Sequence, residues 1–242
     1  MPPGNRGLIL LLATIDLLRN AVCARAGTAA QTWLDAAVSR AAKGERDALL
    51  AAYTNAPKHT GRDLLQLPVS ERAALASTAP GTFFDRWTGD DAGRAVLLLT
   101  LAEHVGADQF ATAAIECYER GDSREQQSWL KALPLLPGSE RFLSVAIDAC
   151  RTNILPQFES IACENPYPER YFPELNFNQL VLKAMFNGIS LARIVGLSGR
   201  LNSELSRMAL DYAAERRAAG RSVPLDLALA LTKDAPTEEQ LR

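Results

Sequence analysis

The chain has 242 residues, 48% hydrophobic and 22% charged, enough apolar material for a sizeable core and too much for wholesale disorder. Its formal net charge of −2 gives no general attraction to nucleic-acid phosphates, so nucleic acid is not expected as a partner. Four cysteines, Cys23, Cys117, Cys150 and Cys163, are scattered without a CxxC pair; they read as buried thiols and not as a zinc knuckle or a redox pair.

In chain order, the run Leu8 to Ile15 resembles the apolar centre of a secretory signal. Asp16 and Arg19 follow it at once, only Arg6 precedes it, and Leu17, Leu18, Ala21 and Val22 carry the apolar pattern onward. An amphipathic helix to about Ala24 accounts for the whole stretch better than an export signal. No uninterrupted run of about 20 apolar residues occurs, so no membrane span and a cytoplasmic location are expected. A second helix is predicted from Thr28 through Trp33, Ala37 and Ala41 to Gly44, then a short one from Glu45 to Tyr53.

Asp90 or Asp91 is placed to cap a very apolar helix through Val96, Leu97, Leu101 and Val105, with Gly106 ending it in the left-handed conformation. Phe110, Ala114 and Cys117 keep helical spacing from Asp108 to Gly121. Ser123 to Gln126 has the form of a capping box for a helix that stops at Pro134. Ser139, after Gly138, opens another, with a stripe of Phe142, Val145, Ala146 and Ala149 up to about Arg151. Pro156 suits a first helical turn, with Phe158 and Ile161 facing inward.

After a proline-spaced loop, Asn176 to Gln179 again fits a capping box, followed by Phe177, Leu180, Val181, Ala184 and Met185 on one stripe. Short helices are predicted around Leu191 to Val195, from Ser203 to Ala219, and from Pro224 to Leu231. The basic group Arg216, Arg217 and Arg221 complements the negative end of the Ser203 helix. The pattern is all-α. Helices pair every 30 to 40 residues from about Asp91, the rhythm of a helical-hairpin, HEAT-like α-solenoid, with a compact bundle as the competing architecture. The expected organisation is an N-terminal helical region over 1–90, a helical-repeat region over 91–232 and a frayed tail over 233–242, in one continuous unit.

The usual catalytic signatures are missing: there is no GxSxG elbow, no GK[ST] phosphate loop, no HExxH and no GxGxxG. With His59 and His104 alone, imidazole metal sites and triads have little material; His104 reads as a hydrogen-bonded structural residue. No metal and no cofactor is expected. The segment from Arg151 to Lys183 concentrates amides, carboxylates and cations among aromatics and prolines. A proline-stiffened loop presents its polar groups with little entropy to lose on docking. Arg151, Asn153, Glu159, Glu164, Asn165, Tyr167, Asn178, Gln179 and Lys183 are the candidate ligand-binding residues. The cations would hold anionic groups, and the amides and carboxylates would order hydroxyls or act as acid and base. Weighed against this, and ahead of it, is a structural reading, in which Glu164, Asn165 and Asn178 tie the loop to neighbouring helix ends and Arg151 pairs with a carboxylate.

Several stretches carry a family resemblance: Gln127 to Pro134 (QSWLKALP), Ala149 to Asn153 (ACRTN), Phe158 to Pro168 (FESIACENPYP), Phe177 to Ala184 (FNQLVLKA) and Glu215 to Pro224 (ERRAAGRSVP). Over about residues 95 to 225 the chain resembles the EboA family of bacteria, cyanobacteria and some algae, while the first 90 residues look more individual. The resemblance implies a setting: members are encoded beside a UbiA-like prenyltransferase, a sugar-phosphate-cyclase-like protein, a TIM-barrel protein and hydrolase-like proteins. Such clusters are associated with making or exporting a secondary metabolite. No family active site transfers to particular residues here. The leading expectation is a non-catalytic accessory protein that holds a small metabolite or another protein of such a cluster through 151–183. A small helical enzyme acting on a cyclitol-like or prenylated intermediate, with Glu159 or Glu164 as acid and base, and a pure assembly scaffold are the alternatives.

Overall fold

The structure, a computed structural model, describes residues 3–234; most of the predicted tail, 235–242, lies outside them. The fold is all-α, and among the described residues the one strand-like feature is an isolated bridge between Leu64 and Thr88. The chain divides into two compact units, Met1–Ala149 and Cys150–Arg242.

The first unit contains α1 (Pro3–Ala42), α2 (Arg46–Thr60), α3 (Val69–Thr78), α4 (Gly89–His104), α5 (Ala107–Glu119), α6 (Ser123–Ala132) and α7 (Leu143–Ala149), with 3-10 turns at Leu133–Leu135 and Ser139–Phe142. Inside α1, Gly27 adopts φ 77 and ψ −170, breaking the helix between the two segments expected from sequence. A residue with a Cβ would be strained in that conformation. By length and composition α1 is apolar enough to cross a bilayer. In the structure Ile15, Leu18, Ala21 and Val22 are buried, and α1 packs on α4.

Every residue of α4 from Gly89 to Leu101 is buried, as expected of a helix apolar nearly all round. Helices α1, α2 and α6 pack around it. Three charged residues share this enclosure: Asp90, Asp91 and Arg94 are at most 2% exposed. Buried charge persists only when paired and hydrogen-bonded, and each of the three is. Arg94 Nη1 donates to Asp90 Oδ2 and to Ser128 Oγ, both at 2.9 Å, and Nε donates to the Tyr53 carbonyl at 3.0 Å. Arg124 forks onto the two oxygens of Asp90 at 2.8 and 2.9 Å, and the Thr88 hydroxyl donates to the same carboxylate at 2.7 Å. Asp91 accepts from the Ser128 hydroxyl and Lys131 Nζ, each at 2.6 Å, and from the Thr88 N–H at 3.1 Å.

The Arg94–Tyr53 bond has a cause in the sequence. Helix α2 runs seven residues past its expected end at Tyr53 and contains Pro57, which has no N–H to give the carbonyl four residues earlier. That carbonyl belongs to Tyr53, and Arg94 takes the vacant place. The close passage of α2 over the start of α4 also explains a glycine: a Cβ on Gly89 would lie 1.9 Å from the Thr60 carbonyl oxygen.

Capping departs from expectation in register. Asp91 caps α4 from inside its first turn, receiving the Thr88 N–H, while Asp90 enters the ion network. Gly106 is extended at φ −64, and α4 ends without a left-handed residue. The capping box of α6 is Asp122 with Glu125, one residue earlier than Ser123 with Gln126, because the Asp122 carboxylate accepts from the N–H groups of Arg124 and Glu125. No side chain caps α10 (Glu174–Phe186): Pro173 precedes it, and Asn176 lies within its first turn.

The second unit comprises α8 (Leu155–Ala162), α9 (Tyr167–Tyr171), α10, α11 (Ser203–Ala218) and 3-10 turns at Leu191–Arg193, Leu197–Gly199 and Leu225–Ala230. The proline-spaced loop therefore contains a short helix. Phe158, Ile161, Tyr167, Phe177, Leu180 and Val181 are at most 1% exposed and form much of its core. At the C-terminal end of α11, Arg216 donates to the Ser222 carbonyl at 2.9 Å, consistent with a cation serving a helix end.

Burial alone would raise the pKa of Asp90, but hydrogen bonds from Arg124 and Thr88 and the charges of Arg124 and Arg94 hold it below its ordinary 3.8. A carboxyl with a depressed folded pKa contributes stability that is complete at neutral pH and lost as pH falls through the folded value. Urea denaturation is therefore expected to show a stability decline below pH 3.8, with a shallower decline in Asp90→Asn. At neutral pH, Arg94→Met, which leaves Asp90 short of a partner, is expected to cost about 3–5 kcal/mol in the same assay. Gly89→Ala is expected to cost at least about 2 kcal/mol, because backbone and not a movable side chain is in the way.

Candidate functional site

The polar segment singled out in the sequence lies in the second unit, and most of its charged groups are engaged by the protein's own side chains and carbonyls. Arg193, from the 3-10 turn after α10, donates from Nε and Nη2 to the two oxygens of Glu164 at 2.7 and 2.9 Å and from Nη1 to Glu159 at 2.7 Å. The Glu164 N–H closes the same junction by donating to the Arg193 carbonyl at 2.9 Å, with Glu164 at φ 52. Hydrogen bonds from its guanidinium to Glu164, and then to Glu159 against the opposing effect of burial, raise the pKa of Arg193 above the usual arginine value. A guanidinium locked to two carboxylates is a permanent cation that fixes both acids in place.

Asn165 is buried and shapes the turn into α9: its side-chain amide donates to the Ser160 carbonyl at 3.0 Å and its oxygen accepts the Tyr167 N–H at 2.9 Å. Tyr167 is fully buried against Tyr171 and Phe172. Asn178 has the partner that a buried amide needs. It exchanges side-chain hydrogen bonds with Asn202 at 3.0 and 3.1 Å, and Asn202 also caps α11 through the Leu205 N–H. Lys183 donates to the carbonyls of Cys150 and Thr152, both at 2.6 Å, with its ammonium 5.1 Å from the centre of the Phe158 ring.

Arg151, Asn153 and Gln179 are exposed. Gln179 stands on α10 one turn after Leu175 and seven residues before Phe186, which are 60% and 58% exposed; these spacings put all three on one face of the helix. Ile154 and Leu155, beside Asn153, are 47% and 41% exposed. The nine candidates thus divide into a group engaged by the protein's own interior and an exposed group bordered by apolar side chains.

Sequence reading missed Arg193 and Asn202, which organise that interior group. Arg193 follows an apolar stretch with no charge pattern around it, and Asn202 is identifiable only as the N-cap before Ser203. Sequence reading also missed two cavities in the first unit. One, of about 300 Å³, includes Leu49, Leu101, Gln109 and Ala113 in its lining, together with the ion pair Arg46–Glu116. The other, of about 290 Å³, lies among α2, α5 and α6 and includes Tyr53, Cys117 and Glu125. Among the described residues no group of three or more His, Cys, Asp or Glu side chains is placed to hold a metal ion. His104 Nδ1 donates to the Thr100 carbonyl, 2.9 Å away, and His59 stacks on Trp33 with ring centres 4.5 Å apart.

A family model described as "Metabolite traffic protein EboA" matches residues 14–231, nearly the whole chain and well beyond the segment of closest resemblance noted in the sequence. The chain belongs to the EboA family. No curated protein and no solved structure matches it.

Replacing Arg193 leaves two half-buried carboxylates without their cation. Arg193→Ala is expected to lower stability by about 2 kcal/mol in urea denaturation, whereas Gln179→Ala on the exposed face is expected to stay within about 0.5 kcal/mol of the parent.

Proposed function

We propose that this member of the EboA family is a non-catalytic accessory protein that binds a small metabolite, in a cytoplasmic setting. The family's description as a metabolite traffic protein supports this reading. The observation that carries the non-catalytic part is the clamp of Arg193 on Glu159 and Glu164, the two residues best suited by sequence to act as acid and base. A general acid or base must exchange a proton with a reacting group within hydrogen-bond reach. Carboxylates held by a three-bond guanidinium fork already have their principal partner. Their evident work is to fasten the 3-10 turn at Leu191–Arg193 to the α8–α9 loop.

A second reading is favoured by a separate observation. Leu175 and Phe186 expose apolar surface beside Gln179 on α10, and aromatic and apolar side chains ringed by amides suit a protein contact. On that reading the interior polar group of 151–183 is the rigid backing, and Asn153 and Gln179 belong to the surface that meets a partner.

Native mass spectrometry of the full chain purified from its own host separates the readings. The expected result is a discrete small-molecule adduct that is released chemically unchanged after prolonged incubation. Conversion of that molecule by the protein, abolished in Glu159→Gln or Glu164→Gln, would replace the accessory role with an enzymatic one. A bound protein with no small molecule, lost in Phe186→Asp, would favour the docking surface.

A further inference from the structure

The larger cavity of the first unit, of about 300 Å³, is lined from the α1–α2 turn, α2, α4 and α5. That volume is roughly twice the ~150 Å³ of an apolar cavity that admits benzene, and it reaches the lower end of ligand sites. The lining is mostly apolar, with Leu49 from α2, Leu101 from α4 and Ala113 from α5. Gln109, Ala113 and Glu116 follow at helical spacing along one face of α5, and the short Ala113 side chain between two long ones leaves room. Gly44, at φ 69, carries the turn past the cavity: a Cβ there would lie 3.2 Å from Gln109 Nε2 and 3.4 Å from Val105 Cγ1.

The charged groups around this space are already matched. Arg46 forks onto both oxygens of Glu116, and Arg120 Nε reaches the same carboxylate at 2.7 Å. Glu45 pairs with Arg40 at 2.9 Å and Asp108 with Arg141 at 2.5 Å. The Thr112 hydroxyl donates to the Asp108 carbonyl at 2.9 Å. Among the described residues, Gln109 is the polar side chain of this lining that has no protein partner. It is exposed, so its amide is open to a ligand. An amide offers a donor and an acceptor together and no charge. An ionised ligand entering here would leave water for walls that are apolar or already neutralised, a loss that an uncharged one escapes. The smaller cavity lacks such a group: Glu125 Oε1 has no hydrogen-bond partner, but it is shielded from solvent and does not face the open space.

We propose that this cavity binds an uncharged small molecule of about ten heavy atoms, its apolar ring or chain against Leu49, Leu101 and Ala113 and its carbonyl, carboxamide or hydroxyl group hydrogen-bonded to the Gln109 amide. The assignment deepens the metabolite-binding reading, on which it rests, by giving it a location and a charge state. Benzamide, benzoate and benzamidinium share one shape and differ in charge, so titrating the full chain with each, followed by amide NMR, tests both. Saturable shifts confined to residues 44–49 and 101–116 are expected with benzamide, with about tenfold weaker binding of either ion. Ala113→Phe fills the space and is expected to abolish the shifts while its circular dichroism matches the parent's. Gln109→Leu, on the surface, is expected to weaken benzamide about fivefold. No saturation by benzamide, an ion that binds as well as benzamide, or an unchanged response in Gln109→Leu overturns the site. A host-derived adduct that persists in folded Ala113→Phe would do the same while leaving the metabolite-binding role intact.

Discussion

The first unit depends on one guanidinium. Arg94 sits where α2, α4 and α6 meet, and each of its bonds reaches a different requirement: the Asp90 charge, the Ser128 hydroxyl and the Tyr53 carbonyl. Without it, a helix buried on every side would contain carboxylates that its apolar surroundings could not tolerate. The pairing does not by itself make the fold more stable than a hydrocarbon core of equal volume would be. Its effect is to define register: only one rotation and one height of α4 satisfy Asp90, Asp91 and Arg94 against Arg124, Ser128 and Lys131 together. The close approach at Gly89 imposes the same alignment sterically, so polar and packing demands agree, which is the condition for a single native arrangement.

The helices were legible because apolar spacing and glycine punctuation are local. Gly27, Gly138 and Gly220 mark breaks where left-handed backbone occurs, and the stripes of α5 and α10 lie on the buried side as their spacing requires. What failed was capping register, since Asp122 and Ser123 are both competent N-caps and only the geometry decides between them. Helix α3 escaped notice because Leu75 is its one buried residue, too little to make a stripe. Of the two aspartates expected to cap α4, Asp91 does so, but the part both play as buried ions was not legible. Two adjacent aspartates before an apolar run mark a helix start, and apart from Arg94 their cationic partners, Arg124 and Lys131, lie more than thirty residues away.

The polar segment of the second unit shows why composition identifies a region more readily than a role. Its richness in amides and charges is real, but Glu159 and Glu164 converge on Arg193, and Asn178 on Asn202. Both partners lie beyond the segment, so nothing within 151–183 could reveal that its groups were already engaged. Glu125 presents the converse. A capping-box glutamate is the least suspicious acid in a sequence, because one oxygen has an obvious local duty, and only burial of the other exposes an unmet demand.

Pro57 gives the first unit a property that no inventory of contacts conveys. Its missing N–H opens a gap in the ladder of α2, and the group that fills it comes from a residue 41 positions later in the chain. Helix α2 therefore cannot complete its own backbone bonding from within; in the folded unit α4 supplies the donor. A local element has been made contingent on a distant one, and the half-assembled state loses what an ordinary helix would keep. Loss of α4 would leave that carbonyl to solvent, which couples α2 to α4 and favours all-or-none folding of this unit.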